Sequence, residues 1–366
     1  MTMYKIIDSF SEFKNLHDAW NELVEGKPVD HVFMKHEWFD CWINSQDVAD
    51  RLVLVTGWRD GQLVAIAPLM YGRTKMKFLP LRTINFLQSA VSPRCNFIVS
   101  STEELNGLFE NIRRLKNWDV FLATNMEESV PETKAFLQCL VENRRGTSFA
   151  IEDGRQSPYL DIEGTWEDYL KSQLKKRRNY IKSECINRLT KKTEQHAIIR
   201  ITDAEDFDNL FSQMLDISSR SWKQESGTAI GQVKSQYLLY KTFTPIALRN
   251  GWVEIWMLEI NNKKVAFDYH LTLNNIHSLI RSDFDSEFNW YHPGENLKIA
   301  SLKELFSRGV KSQLDLGGSP APYKLRWADK IRRHLSITVA CKSPRGRSAL
   351  FLKSTVRPII QSVINR

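Results

Sequence analysis

The residues with chemistry to offer lie late in the chain. Within Lys264-Val265-Ala266-Phe267-Asp268-Tyr269-His270-Leu271, strand alternation puts Val265, Phe267, Tyr269 and Leu271 on one face and Asp268, His270 and Thr272 on the other. An imidazole exchanges a proton near neutral pH, and a neighbouring carboxylate can orient it or bind an acceptor. His270 is therefore the candidate general base and Asp268 its partner. A hydrogen-bonded structural pair has the same composition. A polar face on so apolar a strand reads as the wall of a cleft.

Two further segments carry polar groups at turns. Tyr291-His292-Pro293-Gly294-Glu295-Asn296 precedes a helical period at Ile299, Ala300, Leu302, Leu305 and Phe306, stopped by Gly309. Free amides at such a helix start form a phosphate or pyrophosphate site, which makes Pro293, Gly294, Glu295 and Asn296 candidate donor-binding residues. Pro-Gly before a helix is also an ordinary turn. Next comes Asp315-Leu316-Gly317-Gly318, then Tyr323-Lys324-Leu325-Arg326-Trp327. The two glycines let the backbone turn where a side chain would obstruct, and the cluster after them sets two cations and a phenol on a short segment. Its plainer reading is a loop with a packed Trp327 and exposed basic residues.

The elements that must position these groups read as a repeated pattern. Leu52 to Trp58, a turn at Arg59-Asp60-Gly61-Gln62, and Leu63 to Leu69 predict a hairpin. The same order returns at Trp252 to Ile260, a turn at Asn261-Asn262-Lys263, and Lys264 to Leu271, 201 residues on. Two copies of one α/β unit are implied. Amphipathic helices are expected over 11–25, 36–45, 102–116 and 132–144. A strand at Ser157–Ile162 opens the second half. A helix capped at Thr165 should then run through the basic Lys175-Lys176-Arg177-Arg178 toward Lys192. That basic run reads as a solvated helix face, or as a patch that meets an anionic substrate.

These motifs together resemble the BioF-like/CelD branch of the GNAT acyltransferase superfamily, related to the FemAB peptidyltransferases. The likeness runs from Ser157-Pro158-Tyr159-Leu160 through Trp222-Lys223, Val265-Ala266 and Pro293-Gly294 to Tyr323-Lys324-x-Arg326-Trp327. In the first half it touches Phe33 to Trp42 and Gly61 to Leu69. It implies an α/β (α+β) fold of tandem GNAT-like domains, each a mixed, mostly antiparallel sheet flanked by helices. The expected division is 1–150, 151–340 and a basic amphipathic tail at 341–366.

The resemblance also implies transfer of an acyl group from acetyl-CoA or a longer acyl-CoA to an amine or hydroxyl, in cell-envelope, polysaccharide or lipid pathways. It positions Lys324 to stabilise carbonyl or phosphate charge. The Arg/Gln-x-x-Gly-x-Gly/Ala pyrophosphate loop of ordinary GNAT enzymes is absent, so acyl carrier protein or aminoacyl-tRNA remain donor alternatives. Acyl transfer needs a deprotonated nucleophile, donors for the oxyanion and a proton for a leaving thiolate. Asp315 is a second acid/base candidate and Tyr323 a proton donor, though packing is its commoner use. Trp222, Lys223 and Arg326 are candidate substrate contacts. Trp222 reads first as core.

Composition narrows the alternatives. With 366 residues, 42% apolar and 26% charged, the chain can bury a large core, which excludes disordered and low-complexity classes. Five scattered cysteines fit neither a disulfide framework nor a zinc site, and no metal or redox cofactor is called for. Met1 to Ser9 lacks the pattern of an export signal and Val64 to Tyr71 is too short to span a bilayer, so a cytoplasmic protein is expected.

The net charge of +8 is concentrated at the end, where eleven basic residues and one acidic residue follow Tyr323, leaving the first 322 residues at −2. That distribution argues against a nucleic-acid partner and against the peptidyltransferase alternative. The interleaved cations and apolar groups after Ser343 predict either peripheral contact with an anionic inner-membrane surface or a helix docked on its own domain. A non-catalytic scaffold in polysaccharide assembly is the third function class.

Overall fold

Turn chemistry sets the hairpins. Asp60 and Gly61 take positive φ (51° and 80°), as do Asn261 and Asn262 (49° and 61°). Two consecutive left-handed residues make the tight turn whose twist matches paired strands, and Asp, Asn and Gly enter that conformation at low cost. Both expected turns are present, and Asn274-Asn275 (49° and 62°) makes a third. The computed structural model of the chain describes residues 1–25, 32–76, 79–88, 94–143, 147–203 and 205–353.

The strands of the first half are β1 (Met3–Ile7), β2 (Leu54–Arg59), β3 (Gln62–Ala67), β4 (Leu69–Met76), β5 (Leu79–Phe86), β6 (Ile98–Val99), β7 (Val120–Glu127) and β8 (Ser148–Ile162). Then come β9 (His196–Ile201), β10 (Val253–Ile260), β11 (Lys263–Leu273), β12 (Ile276–Phe284), β13 (Ser312–Asp315) and β14 (Lys330–Ala340). A four-stranded sheet has the order β1-β2-β3-β6, and a ten-stranded sheet the order β4-β5-β7-β14-β8-β13-β12-β11-β10-β9. Pro68, which has no N–H to give a ladder, separates β3 from β4 where the chain passes from one sheet to the other.

Among the described residues the parallel pairings are β5 with β7 and β12 with β13. The helices Glu104–Arg114 and Pro293–Ser307 fall between the members of these pairs in sequence. The architecture is thus the expected mixed, mostly antiparallel sheet flanked by helices.

Local signals placed most helices. His36–Gln46, Glu104–Arg114 and Pro131–Glu142 lie where the periodicity puts them. Thr165 caps its helix, accepting from the Asp168 amide at 3.1 Å. The helix expected to continue to Lys192 is instead broken into Trp166–Ser172, Lys175–Asn179, a π turn at Tyr180–Ile186, and Asn187–Lys192. The break falls at Gln173 and Leu174, whose ψ angles of 150° and 144° take the chain out of the helix.

The core lies on both faces of β10–β12. Phe267, Tyr269 and Leu271 belong to a buried cluster with residues of the helices His36–Gln46, Phe207–Ser219 and Lys234–Arg249. Trp38 meets Phe243 edge-on at 4.9 Å, so a first-half helix packs on the second half. Val265, expected beside Phe267, packs instead with Trp256, Leu258 and Leu297. The register shifts between Leu258 and Glu259 opposite it, and a bulge turns one residue to the other face.

Helix Pro344–Lys353 buries Ala349 against Leu81 and Val120 and leaves Phe351 exposed. The rest of the proposed tail, residues 354–366, falls outside the described residues. Among the described residues no helix is long and apolar enough to cross a membrane.

Candidate active site

A wedge opens in the large sheet where β12 and β13 part. They pair only over Ile276–Ser278 against Gln313–Asp315, after which β12 runs on to Phe284. The chain beyond β13 turns away at Gly317 and Gly318, both left-handed (φ 57° and 59°). A side chain would strain the backbone at either position. A Cβ at 317 would meet the Leu279 carbonyl at 3.0 Å, and one at 318 the Lys324 ammonium at 2.9 Å. Helix Pro293–Ser307 starts at this end, the place where open α/β sheets take their ligands.

Under that helix lie the two residues singled out on β11. Asp268 is fully buried and His270 is 2% exposed. The alternation held from Phe267 to Leu271, but the face is roofed by the helix and is not an open cleft wall. Lys298, reaching down from the helix, places Nζ 3.6 Å from Asp268 Oδ2, and His270 Nε2 stands 3.9 Å from the same oxygen. Both Asp268 oxygens and His270 Nε2 lack a hydrogen-bond partner. Burial pushes the Asp268 carboxyl up, yet the Lys298 charge and the adjoining His270 ring hold it below its ordinary value. A buried carboxylate with neither oxygen hydrogen-bonded is an expensive arrangement for a purely structural group.

Two more lysines converge on the wedge. Lys324 Nζ donates to the Gly317 carbonyl at 2.5 Å. Burial, with the Lys298 charge nearby, brings its pKa down to about 8. Lys223 donates to the Ser282 carbonyl at 2.7 Å and to Asp283 at 2.5 Å, and burial lowers its pKa too. Tyr323, half exposed, has its phenol pushed up by burial and by the charge of Asp268. Trp222 is not core: it is 56% exposed beside Lys223, its ring 5.9 Å from that ammonium.

Residues 175–325, the stretch that builds this wedge, match the acetyltransferase (GNAT) domain family. FemX has a similar structure over 92% of this chain and 96% of its own, with 12% identity and a TM-score of 0.57. The C-terminal domain of a putative lysylphosphatidylglycerol synthetase from Agrobacterium fabrum is similar at 10% identity, covering 93% and 95%, with a TM-score of 0.54. L-PGS from Bacillus licheniformis is similar at 10% identity, covering 93% and 97%, with a TM-score of 0.53. No curated protein sequence matches the chain. The fold is that of the GNAT superfamily, in its FemX-like form. At these identities the structural likeness is one of fold, and the family match is confined to residues 175–325.

The anion cradle expected at the start of the GNAT helix is thinner than its sequence implies. Pro293 has no N–H, and the amides of Glu295 and Asn296 both donate to the His292 carbonyl, at 3.1 and 3.0 Å. The Glu295 carboxylate accepts from Trp327 Nε1 at 2.5 Å and from Arg326 at 3.3 Å, tying the helix start to the Tyr323–Trp327 segment. Asn296 is turned inward, its amide donating to the Tyr291 carbonyl at 2.8 Å. Arg326 also reaches the Tyr180 hydroxyl at 3.2 Å, and Arg188 stands 3.3 Å from the His292 ring. Gly294 sits over β12, a Cβ there being 3.8 Å from Ser282 Oγ. Side-chain cations, more than free backbone amides, gather at this end of the helix.

Asp315, weighed as an acid or base, is an anchor. It is 2% exposed, accepts from Arg332 at 2.5 Å, from the Gly317 amide at 2.7 Å and also from Arg94. Burial alone pushes its carboxyl up, but the two guanidinium charges prevail and hold it below the usual carboxylate value. It carries no proton at neutral pH. Its place is to fix β13 at the mouth of the wedge.

Sequence reasoning missed Lys298, His277 and Glu254. Lys298 is 5% exposed in mid-helix, flanked by apolar neighbours at 297 and 299, and that placement was the one signal available. His277 is buried near Glu254 and His270, and burial brings its pKa down to about 4. Glu254 closes the row outward, accepting from Arg200 at 3.0 Å and Arg308 at 2.9 Å.

Proposed function

We propose that the chain transfers an acyl group from a thioester donor, an acyl-CoA, to an amine or hydroxyl of a cell-envelope sugar, amino-sugar or lipid precursor. One observation carries the reading: a GNAT wedge between β12 and β13 with a buried Asp268–His270 couple beneath it, its Oδ1, Oδ2 and Nε2 atoms without hydrogen bonds, and the lowered Lys324 amine at its mouth. The thioester carbonyl enters the wedge, as strand divergence frees backbone groups to receive it. His270 Nε2 takes the acceptor proton as its nitrogen or oxygen attacks the carbonyl carbon. Asp268 and Lys298 hold the charge balance around the resulting imidazolium.

The carbon–sulfur bond then breaks. A thiolate of ordinary pKa near 8.5 is well matched to a proton from Lys324 at about 8. Lys324 is thereby favoured over Tyr323 as the acid, since the phenol is shifted up and away from that range.

Thermal shift with acetyl-CoA, long-chain acyl-CoA and acyl carrier protein tests donor binding, since a ligand of the native state raises Tm. A rise with an acyl-CoA, followed by release of free thiol on adding an amino-sugar, is the expected result. No rise with any of the three rejects the thioester reading.

A second reading, aminoacyl-tRNA as donor, draws on the exposed Lys175, Lys176, Lys182, Lys191 and Lys192 on the segment beside the helix start. It predicts RNA that co-purifies with the chain and leaves in high salt.

A further inference from the structure

At the far end of β14 from the wedge, roughly 30 Å along the strand at about 3.3 Å per residue, the protein holds a cavity. It encloses about 320 Å³, and Glu110, Arg113, Arg114, Trp118, Thr147 and Lys342 line it. Arg113 donates to Glu110 at 2.6 Å, which balances that pair. Arg114 and Lys342 are exposed at the rim, so the lining is positive overall. Arg345 and Arg347, exposed at the start of the Pro344–Lys353 helix, continue the same sign. Trp118 gives its N–H to the Leu115 carbonyl at 2.8 Å and offers the cavity an apolar ring.

One atom is out of place in a merely structural pocket. Thr147 is 6% exposed, and its hydroxyl is buried without a hydrogen-bond partner. Buried hydroxyls nearly always find a partner, because an unmade bond costs the full desolvation of the group. A ligand oxygen supplies that partner. A group that also satisfies two cations at the rim needs several oxygens and a negative charge.

We propose that this cavity binds the phosphate group of a phosphomonoester, at a site separate from acyl transfer. Two sources share that chemistry, a soluble sugar or glycerol phosphate and the headgroup of phosphatidic acid. Calorimetric titration of the full chain with inorganic phosphate and glycerol 3-phosphate, beside co-sedimentation with phosphatidylcholine vesicles with and without phosphatidic acid, separates them.

Saturable binding in either arm is expected, and the Arg114→Ala, Lys342→Ala double variant loses it. Thr147→Val should weaken binding roughly tenfold while leaving the ligand-free Tm unchanged or raised, because it deletes an unpaired hydroxyl. Binding confined to one arm assigns the source. No saturable binding in both arms, or binding that survives both variants, overturns the proposal. The wedge and its chemistry would be untouched by that outcome, since the thiol-release assay reads them independently.

Discussion

The two halves of the chain build the same crossover and fill it differently. β5 and β7 pair in parallel over Thr83–Asn85 against Val120–Leu122, just as β12 and β13 do over three residues. In the first half Phe86, Phe97, Phe121 and Phe136 occupy the junction, with ring centroids 4.9 to 6.5 Å apart. Gln88 bridges to the Thr124 carbonyl at 3.2 Å and closes the gap. Glu104, at the start of the helix, is occupied by Tyr4 at 2.8 Å and by Arg59. In the second half the corresponding space holds Asp268, His270, Lys298 and Lys324. The wedge is therefore a property of the backbone, and its chemistry depends on whether rings or titratable groups were placed in it.

The sharpest way to test that contrast is to silence the second wedge. Asp268→Asn keeps the shape and removes the charge, so turnover should fall by about 10²- to 10⁴-fold. Thermal shift by the acyl donor should persist. If the variant kept wild-type turnover, Asp268 would be a structural residue like those of the first wedge.

The converse variant acts on the first half. Phe121→Ala should cost about 3–5 kcal/mol of stability, read by chemical denaturation, with turnover per folded molecule unchanged. A loss of activity without loss of stability would mean that the first wedge shares in the chemistry. Asp315→Ala should cost a similar ~3–5 kcal/mol, because Arg94 and Arg332 would lose the buried carboxylate they share and keep Glu127 as their common acidic partner. The sign with pH follows from the lowered Asp315 carboxyl. Its contribution is full above the ordinary value near 3.9 and disappears as pH falls through the lower folded value. Acid unfolding of Asp315→Asn should accordingly begin at higher pH than that of the wild type, monitored by circular dichroism.

What was legible in the sequence was local. Asp60-Gly61 and Asn261-Asn262 announce their turns because few residue pairs accept two left-handed conformations. Pro293 and Gly309 bound their helix for similar backbone reasons, and period-two alternation placed Asp268 with His270. What was hidden depends on distant partners. Arg94 meets Asp315 across 221 residues, and nothing near either residue announces it. Lys298 looks like a solvated position until the strand beneath its helix is known. Trp222 was expected in the core, yet its neighbour Lys223 is the one that reaches inward, drawn by Asp283. The roof over Asp268 likewise comes from packing and not from the strand's own pattern.

The smallest expected effects belong to Lys324, where stability and chemistry pull in opposite directions. Its folded pKa, about 8, lies below the ordinary 10.5. The folded state therefore holds this proton less firmly than the unfolded one. The resulting penalty is full below pH 8 and is relieved between about 8 and 10.5. Lys324→Met should raise Tm at pH 7, by roughly 1–2 °C for each kcal/mol relieved in a chain of 366 residues, and the gain should fade toward pH 10.5.

The same titration should appear in kinetics. If the ammonium protonates the departing thiolate, wild-type kcat declines above pH 8, and Lys324→Arg, which stays charged, flattens that limb. A limb that persists unchanged in the Arg variant assigns the proton to another group, with Tyr323 next in line by position. A residue that destabilises the fold at the pH where it works is what separates the second wedge from the first, in which every aromatic ring contributes only to packing.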